Sequence, residues 1–277
     1  MQGISNESFQ FLQRFLERES GIVVGENKRY LIEVRLASLL REEGLRDFDA
    51  LVAAMSGVQG RRLGVRIIES MTTHETLWFR DRFPFDFFRD TILKDYAQSG
   101  RPALKIWSAA CATGQEPYSL SILVEEMADL RPLVGHGVKI MATDISEAAL
   151  QIAQEGRYDA LSLRRGMDEH RLRRFFVEDK ESWKIRPQVA SRITFRPGNL
   201  LASFSHLGSF DAVFCRNVLI YFSTANKQDI LERLIQCINP GGYLVLGASE
   251  TLPEPIASKY RLMRQSVGGG IYQKPSV

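Results

Sequence analysis

The first residues with a recognisable chemical use lie in the stretch 105–119, KIWSAACATGQEPYS. It opens with alternating apolar residues, continues through small or turn-forming ones, and reaches Glu116 and Pro117, which suit the first turn of a helix. A strand that enters a helix through a tight loop can bring a small charged ligand against main-chain N–H groups. With only Gly114, the stretch lacks the spacing of a dinucleotide fingerprint, so a turn without a ligand stays open.

A second candidate is Asp144, which follows the apolar stretch 138–143. A carboxylate at the tip of the strand after a ligand-binding loop can accept hydrogen bonds from ribose hydroxyls. Asp is also a common N-cap, and the residues from Ile145 to Glu147 begin a predicted helix. Together with the small-residue loop, Asp144 favours a cofactor that carries a nucleoside.

Two further polar segments follow predicted strands. Asn199 and Leu200 lie in a short loop of the kind that commonly faces the base of a bound nucleoside, although a simple turn also fits. Arg216 and Asn217 follow a buried strand, at the edge where open α/β sheets bind ligands. Tyr221 comes four residues after Asn217 and is either a core aromatic or a hydroxyl aimed at a substrate.

The elements that must position these side chains alternate between strand and helix from residue 103 onward. This alternation predicts an α/β fold, a mainly parallel sheet with helices on both faces. The predicted strands are 104–108, 138–143, 192–196, 210–215 and 243–246, and a late antiparallel hairpin pairs 260–264 with 270–274 through 266–269. The predicted helices are 117–129, 146–154 and 224–238, the last stopping at the turn 239–242.

The residues before this fold are predicted to be helical. Apolar residues recur at helical spacing from Phe9 to Leu16, over 28–41, from Phe48 to Met55 with Asp47 as N-cap, and from Leu63 to Met71. We predict an all-α domain over 1–71, a linker and connecting helix over 72–102, and an α/β domain over 103–277. Within the last, 156–187 is long for a connection and shows no plain helix, which indicates an inserted subdomain.

Composition limits the class of protein. Hydrophobic residues make up 44% and charged residues 25% of the 277, which is typical of a globular chain. We expect a cytoplasmic protein, because no apolar run approaches the roughly 20 residues that span a membrane and the first residues lack a signal peptide's pattern. Three cysteines without paired spacing fit a reducing compartment. Four scattered histidines suggest no metal, and a net charge of +3 is too small to imply nucleic acid.

Several motifs together resemble one family. They are TTxxTxxFR at 72–80, SAAxxTGxEPYS at 108–119, ATDIS at 142–146, GNLL at 198–201, FCRNVLIYF at 214–222 and INPGGYLVLGASE at 238–250. Over its whole length the chain resembles the chemotaxis receptor methyltransferases, the CheR family. The resemblance implies a Rossmann-like, seven-stranded S-adenosylmethionine-dependent methyltransferase domain with a small antiparallel β-subdomain inserted near 157–191, preceded by an all-α domain.

The family methylates glutamate side chains of bacterial chemoreceptors with S-adenosylmethionine, forming methyl esters for sensory adaptation. By position, the resemblance implies that Arg80, Arg216 and Tyr221 orient the glutamate carboxylate. The residues that it implies for the cofactor are His74, Thr76, Arg80, Glu116, Asp144, Asn199, Leu200, Arg216 and Asn217. His74 departs from the family pattern, which often has Asn there, although His can also donate or accept a hydrogen bond.

This inventory suits the chemistry. A glutamate side chain has a pKa near 4.3 and is already ionised at neutral pH, so no general base has to generate the nucleophile. The methyl group sits on a sulfonium, which is a good leaving group. Positioning remains, and well-oriented reactants contribute roughly 7–11 kcal/mol. A very tight clamp on the carboxylate would also stabilise the ground state.

The resemblance also bears on partners. It implies that Lys28, Arg29 and Arg35 face an acidic helical bundle of a chemoreceptor, whereas the residues alone fit a solvated helix face. Some family members use the inserted subdomain to bind an aromatic-containing peptide at the receptor's C-terminus, through a longer turn with glycine. Residues 176–183 are short, charged and glycine-free, so we predict an enzyme that is independent of such a peptide. We expect recruitment to receptor arrays without membrane insertion.

Two other interpretations stay open on the residues alone. One is a methyltransferase for nucleic acid or a small molecule, in which the basic run 164–174 meets phosphates. Against it, the chain lacks an Asn-Pro-Pro-Tyr motif for flipped bases and has Arg216 and Asn217 in that region. The other is a non-catalytic nucleoside-binding regulatory module. Transfer of a labelled methyl group to a receptor, giving base-labile esters, separates all three.

Overall fold

The computed structural model describes residues 3–128, 137–266 and 269–276. The chain forms two compact units, one made of Met1–Thr73 with Tyr221–Lys227 and the other of His74–Ile220 with Gln228–Val277. The chain therefore leaves the second unit after Ile220 and returns to it at Gln228. The domain limits drawn from the sequence stay a prediction.

Over residues 3–73 the first unit forms the helices α1 Asn6–Ser20, α2 Arg29–Glu42, α3 Phe48–Met55 and α4 Gly60–Met71. The side chain of Asp47 accepts the Ala50 N–H and caps α3, as predicted. The apolar faces form one core. Its fully buried members include Phe9, Leu12, Leu16, Ile32, Leu36, Leu51 and Ile67. The expected all-α domain is confirmed.

The segment 221–227 belongs to this unit through two local contacts. The Val23 N–H donates to the Tyr221 carbonyl at 2.9 Å. Gly21 ends α1 with φ 77°, and a Cβ at this position would overlap the ring of Phe222. Gly21 is therefore required both by its backbone conformation and by the ring beside it.

The second unit contains two sheets. In chain order the strands are β1 Leu104–Ala109, β2 Val138–Asp144, β3 Arg157–Asp159, β4 Phe176–Asp179, β5 Ser182–Ile185, β6 Ile193–Pro197, β7 Phe210–Cys215, β8 Ile238–Leu246, β9 Arg261–Ser266 and β10 Gly269–Gln273. The large sheet has the order β6-β2-β1-β7-β8-β10-β9. Its first five strands are parallel, and β9 and β10 form the antiparallel edge hairpin. The expected seven-stranded α/β domain is confirmed; residues 267–268 of the predicted hairpin turn lie outside the described residues.

The described helices of this unit are α5 Phe83–Phe87, α6 Lys94–Ser99, α7 Gln115–Ala128, α8 Glu147–Glu155, α9 Ala160–Arg164, α10 Glu169–Phe175, α11 Pro187–Ala190 and, from Gln228 onward, α12 Thr224–Gln236. Helix α7 is the most deeply buried of them and packs with β1, β2 and the connecting helix in one large core. The predicted connecting helix is present, with a π-helical stretch at Phe88–Leu93 between α5 and α6. The predicted end of α7 at Asp129 lies outside the described residues.

The inserted subdomain is a three-stranded antiparallel sheet of order β3-β5-β4, as expected. The expectation that this segment lacks a plain helix is wrong, because α9 and α10 lie within it. Each is short, and each is started by an aspartate, Asp159 and Asp168, whose carboxylate accepts a main-chain N–H three residues on. Their shortness hides the helical period.

Strand β8 begins earlier than predicted. Ile238 pairs with Phe210, and the regular register resumes at Tyr243 opposite Ala212. The predicted turn 239–242 is therefore a bulge within the strand, with Gly241 at φ 75°. Among the described residues, no helix combines the length and the apolar character needed to cross a membrane.

Candidate active site

The loop after β1 holds three residues at positive φ. These are Ala110 at 59°, Ala112 at 48° and Gly114 at 95°. A Cβ on Gly114 would lie 2.9 Å from the Ala153 Cβ and 3.1 Å from the Tyr158 hydroxyl, so only glycine fits. The left-handed conformation is costly for alanine. Because both Ala110 and Ala112 adopt it, contacts with the surrounding residues must impose the shape of the loop.

Asp144 imposes part of this shape. Its Oδ2 accepts the Ala112 N–H at 2.8 Å, and its Oδ1 accepts the Ser146 N–H at 2.9 Å. The N-cap of α8 is Ser146, whose hydroxyl accepts the Ala149 N–H, and not Asp144. Asp144 is 6% exposed at the carboxyl end of β2, the position expected for a ribose ligand.

Asn199 and Leu200 lie beside this position. The N–H of Gly198 donates to the Asp144 carbonyl at 2.8 Å, which brings the loop after β6 to the end of β2. The Asn199 side chain accepts the Leu201 N–H at 2.9 Å, and the main chain of Leu200 accepts a hydrogen bond from Arg233 at 2.8 Å. These contacts hold the loop in one conformation.

Arg216 joins three segments at the carboxyl end of the sheet. Its side chain is 2% exposed, and its Nη1 donates to Glu116 Oε2 at 2.9 Å. Its Nη2 donates to the Arg80 carbonyl and to Asp81 Oδ2, each at 2.8 Å. The other oxygen of Glu116 accepts the hydroxyl of Ser108 at 2.8 Å. Arg216 thus ties the end of β7 to the start of α7 and to the segment 72–82, called the connector below.

The connector itself is strained. Phe79, Asp81 and Arg82 have φ of 50°, 67° and 46°, values that side chains other than glycine rarely adopt. The Phe79 N–H donates to the Ser119 hydroxyl at 3.1 Å, and the guanidinium of Arg171 lies 4.1 Å from the centroid of the Phe79 ring. The connector is therefore held at Phe79 through both its main chain and its ring.

The predicted connector ligands differ in how firmly they are held. Arg80 is half-buried and makes one long hydrogen bond, 3.3 Å from Nη1 to the Glu75 carbonyl. Thr76 is also half-buried. Within the described residues, five buried side-chain nitrogens meet no hydrogen-bond partner, and two of them, the Nε2 of His74 and the Nε of Arg216, belong to predicted site residues. A buried polar atom without a partner is unusual in a folded protein and fits a site that a ligand completes.

Asn217 follows Arg216 in a left-handed conformation, φ 58°. Its N–H donates to Glu250, whose carboxylate also accepts the N–H groups of Val218, Leu219 and Gly247. Sequence reasoning assigned no role to Glu250, although it ends the motif INPGGYLVLGASE. The signal in the sequence that could have indicated this role is an acidic residue just past a predicted strand.

Tyr221 belongs to the first unit, where it is half-buried at the end of a 3₁₀ turn, Leu219–Tyr221. Arg80, Arg216 and the predicted cofactor ligands all belong to the second unit. The structure therefore brings Glu116, Arg216 and the main chain of Arg80 together, and separately places Asp144 beside the 198–201 loop.

Neither Cys111 nor Cys215, the two cysteines near these strand ends, is an activated thiol. Burial, with the charges of Asp144 and Glu116 as smaller causes, raises the pKa of the Cys111 thiol well above its ordinary value. Burial likewise raises the pKa of Cys215. Both thiols stay protonated at neutral pH and act as small apolar groups. Among the residues described, no group of three or more His, Cys, Asp or Glu side chains could hold a metal ion.

Comparison with known proteins decides the family. Residues 7–72 match the family model for the CheR methyltransferase all-alpha domain, and residues 74–268 match the model for the CheR methyltransferase SAM binding domain. The chain belongs to the CheR methyltransferase family. Curated relatives agree over nearly the whole chain. Chemotaxis protein methyltransferase 1 of Pseudomonas aeruginosa is 44% identical over 95% of this chain and 97% of its own length.

Two other relatives are similar over the same extent. Chemotaxis protein methyltransferase Cher2 of Pseudomonas putida is 41% identical over 95% of this chain and 96% of its own length. Chemotaxis protein methyltransferase of Escherichia coli is 31% identical over 95% and 91%. This CheR protein is thus an S-adenosylmethionine-dependent methyltransferase of chemotaxis. The small-residue loop, the buried Asp144 and the unpartnered Nε2 of His74 fit that cofactor.

Replacement of Arg216 by Lys tests the junction of the three segments. One ammonium cannot reach Glu116, Asp81 and the Arg80 carbonyl together, so the connector should loosen. We expect S-adenosylhomocysteine to bind roughly 10- to 100-fold more weakly by calorimetry, in line with a loss of about 1.4–2.8 kcal/mol.

Arg192→Lys is the matched control. Arg192 is also a buried forked arginine, its side chain 9% exposed, and it donates to Ser121 and pairs with Glu125 away from these strand ends. It should lower thermal stability without weakening the cofactor. Equal losses of affinity in the two variants would contradict the assignment.

Proposed function

We propose that this CheR protein transfers a methyl group from S-adenosylmethionine to glutamate side chains of chemoreceptors and forms methyl esters. Support comes from the match of both domains to the family and from the character of the site. Its polar groups include the connector cation Arg80 beside the buried Arg216, and its buried Cys111 thiol stays neutral. Such a site suits a nucleophile that is already ionised, as the glutamate carboxylate is at neutral pH.

The residues proposed to hold the cofactor are His74, Thr76, Arg80, Glu116, Asp144, Asn199, Leu200, Arg216 and Asn217. When bound, S-adenosylmethionine supplies an electrophilic methyl group on a sulfonium sulfur. Asp144 accepts from the ribose hydroxyls, and the loop 110–114 brings its main chain close to the cofactor because its side chains are small. Asn199 and Leu200 face the base.

Arg80, Arg216 and Tyr221 divide the work at the glutamate carboxylate. Both terminal nitrogens of Arg216 already donate to Glu116, Asp81 and the Arg80 carbonyl, so its main part is to position the connector. Arg80, with its one long hydrogen bond, can turn toward the substrate. Tyr221 donates its hydroxyl to the same carboxylate. Alignment of carboxylate and methyl group then supplies the rate.

Labelled methyl transfer tests this assignment. Wild-type protein, a membrane preparation of chemoreceptors and S-adenosylmethionine with a tritiated methyl group should give receptor label that alkali releases as methanol. Arg80→Ala and Tyr221→Phe should each lower kcat by roughly 10²-fold, because misplacement of the carboxylate costs about that much.

Arg82→Ala is the control for Arg80. Arg82 is an exposed cation in the same connector and should keep nearly full activity. Label that resists alkali, or that appears in nucleic acid, would contradict glutamate esterification.

Receptor recognition is proposed for the first unit, whose cationic residues Lys28, just before α2, and Arg29 and Arg35, on α2, are not equivalent. Arg35 donates to the Met71 carbonyl and to the Thr73 hydroxyl, and Arg29 lies 4.6 Å from the centroid of the Phe9 ring. Lys28 is exposed at the start of α2. We propose that Lys28 carries most of the attraction to an acidic receptor bundle, with Arg29 and Arg35 contributing charge while they stabilise the domain.

Lys28→Glu tests this surface. Reversal of an exposed rim charge slows association, so we expect the receptor KM to rise several-fold at low salt, with less effect at 0.5 M salt. Binding of S-adenosylhomocysteine should not change. Arg14→Glu, an exposed reversal on α1, is the matched control. A receptor KM that is unchanged in Lys28→Glu would remove the proposal.

Independence from a receptor peptide is proposed from the inserted subdomain. Strands β4 and β5 are joined by Lys180 and Glu181 alone, and Lys180 takes φ 58° without help from glycine. An ion pair between Arg157 and Asp179 lies at the same end of the sheet. A turn this tight and charged offers little room to cradle an aromatic side chain.

Titration decides the matter. A short aromatic-containing peptide with a free carboxyl terminus, representing a receptor tail, should show no saturable binding up to millimolar concentration. Micromolar binding, or a receptor KM that rises when the tail is deleted, would overturn peptide independence. A cytoplasmic location is part of the same proposal, in which recruitment to receptor arrays depends on Lys28 and its neighbours instead of a tether.

A further inference from the structure

Glu250 makes an unusual set of contacts for a side chain that is 5% exposed. Its Oε1 accepts the N–H groups of Val218 and Leu219 at 2.9 and 2.8 Å. Its Oε2 accepts those of Asn217 and Gly247, both at 2.8 Å. Four main-chain donors therefore converge on one carboxylate, and three of them are consecutive residues of the loop after β7.

Three successive N–H groups that point to one place form a concave anion site of the kind that elsewhere binds phosphate. Here the anion is a side chain of the same protein. The left-handed conformation of Asn217, φ 58°, turns these donors inward, and Glu250 satisfies them. Without the carboxylate, the N–H groups of Asn217, Val218 and Leu219 would be left unpaired, and the strained turn would no longer be stabilised.

Gly247 makes this arrangement possible. It lies just past β8, beside the end of β7, since Cys215 pairs with Leu246. A Cβ on Gly247 would come within 2.6 Å of both the Asn217 nitrogen and Glu250 Oε2. Only glycine at this position allows the carboxylate to join the ends of two neighbouring strands.

We propose that Glu250 is a positioning residue of the methyltransferase site. By fixing the main chain of residues 217–219 before the cofactor binds, it sets the directions in which Arg216 and Asn217 leave the end of β7. This inference rests on the proposed roles of Arg216 and Asn217 in the cofactor pocket. Glu250 acts through them and does not touch the reacting atoms.

A purely structural role is the competing explanation, and Asp211 provides the matched control. Asp211 also uses its carboxylate on main chain, accepting the Lys105 N–H at 2.8 Å, together with Arg101 and Asn239 at 3.1 Å each. It is the second residue of β7 and so lies near the opposite end of the strand from Arg216. Glu250→Gln and Asp211→Asn each exchange one carboxylate oxygen for an amide nitrogen that cannot accept.

The experiment uses the full chain and reads binding and turnover separately. In Glu250→Gln we expect the Kd for S-adenosylhomocysteine to rise at least 10-fold and kcat/KM for S-adenosylmethionine to fall at least 100-fold, at a temperature where circular dichroism reports a folded protein. Asp211→Asn should stay within 3-fold of wild type in both. Gly247→Ala, which crowds the same hydrogen bonds without changing charge, should match Glu250→Gln. Wild-type kinetics in Glu250→Gln, or equal losses in Asp211→Asn, overturn the proposal.

Hydrogen exchange tests the proposal on the wild-type protein, so the test does not depend on whether a variant folds. Without cofactor, the amides of Asn217, Val218 and Leu219 should be protected to within tenfold of the β7 amides. If they exchange freely until S-adenosylhomocysteine is added, the loop is not preorganised and the proposal fails. Cofactor binding and hydrogen exchange test the role of Glu250 without any receptor. If the receptor were not methylated, that result would overturn the proposed function alone.

Discussion

The site depends on one buried cation. The guanidinium of Arg216, with its side chain 2% exposed, lies between the carboxylates of Glu116 and Asp81 and also donates to the Arg80 carbonyl. Glu116 is the buried partner, 12% exposed, whereas Asp81 is 40% exposed. Removing one partner of a buried ion pair commonly costs about 3–5 kcal/mol, because it leaves an uncompensated charge. Arg216 therefore stabilises three segments in their observed positions together. They are the end of β7, the start of α7 and the connector.

The same logic extends to the strained main chain around it. Ala112, Asp81 and Asn217 all take positive φ, at about 1–2 kcal/mol each for a left-handed residue. Each lies where a charged group from elsewhere in the chain engages it: Ala112 meets Asp144, Asp81 meets Arg216, and Asn217 meets Glu250. Hydrogen bonds to charged groups contribute about 1.5–3 kcal/mol each, which offsets strain of this size. Charge thus holds the site's loops where propensity alone would not.

Local patterns account for what could be predicted from the sequence. Helical spacing and the Asp47 cap located the first unit, and the order of strands and helices located the sheet, because both signals lie within a few residues of one another. The bulge at 239–242 and the role of Glu250 were not predictable in this way. The bulge follows from the pairing of β8 with β7, and Glu250 meets Asn217 across 33 residues of sequence. Such contacts exist only once the sheet has formed.

Arg216 is rigidly held and Arg80 is more free to move, and this difference bears on the proposed catalysis. A guanidinium that gripped the glutamate carboxylate with its full fork would stabilise substrate and transition state alike, and such uniform binding does not raise kcat. Arg216 is prevented from doing so, since its terminal nitrogens are engaged by Glu116, Asp81 and the Arg80 carbonyl. Arg80 belongs to the connector, whose main chain Arg216 holds in place. Its side chain would give up only the 3.3 Å hydrogen bond to the Glu75 carbonyl in order to contact the proposed substrate. In the proposed reaction, a weak contact from Arg80 to the glutamate carboxylate preserves the nucleophilicity of that carboxylate while setting its direction toward the methyl group.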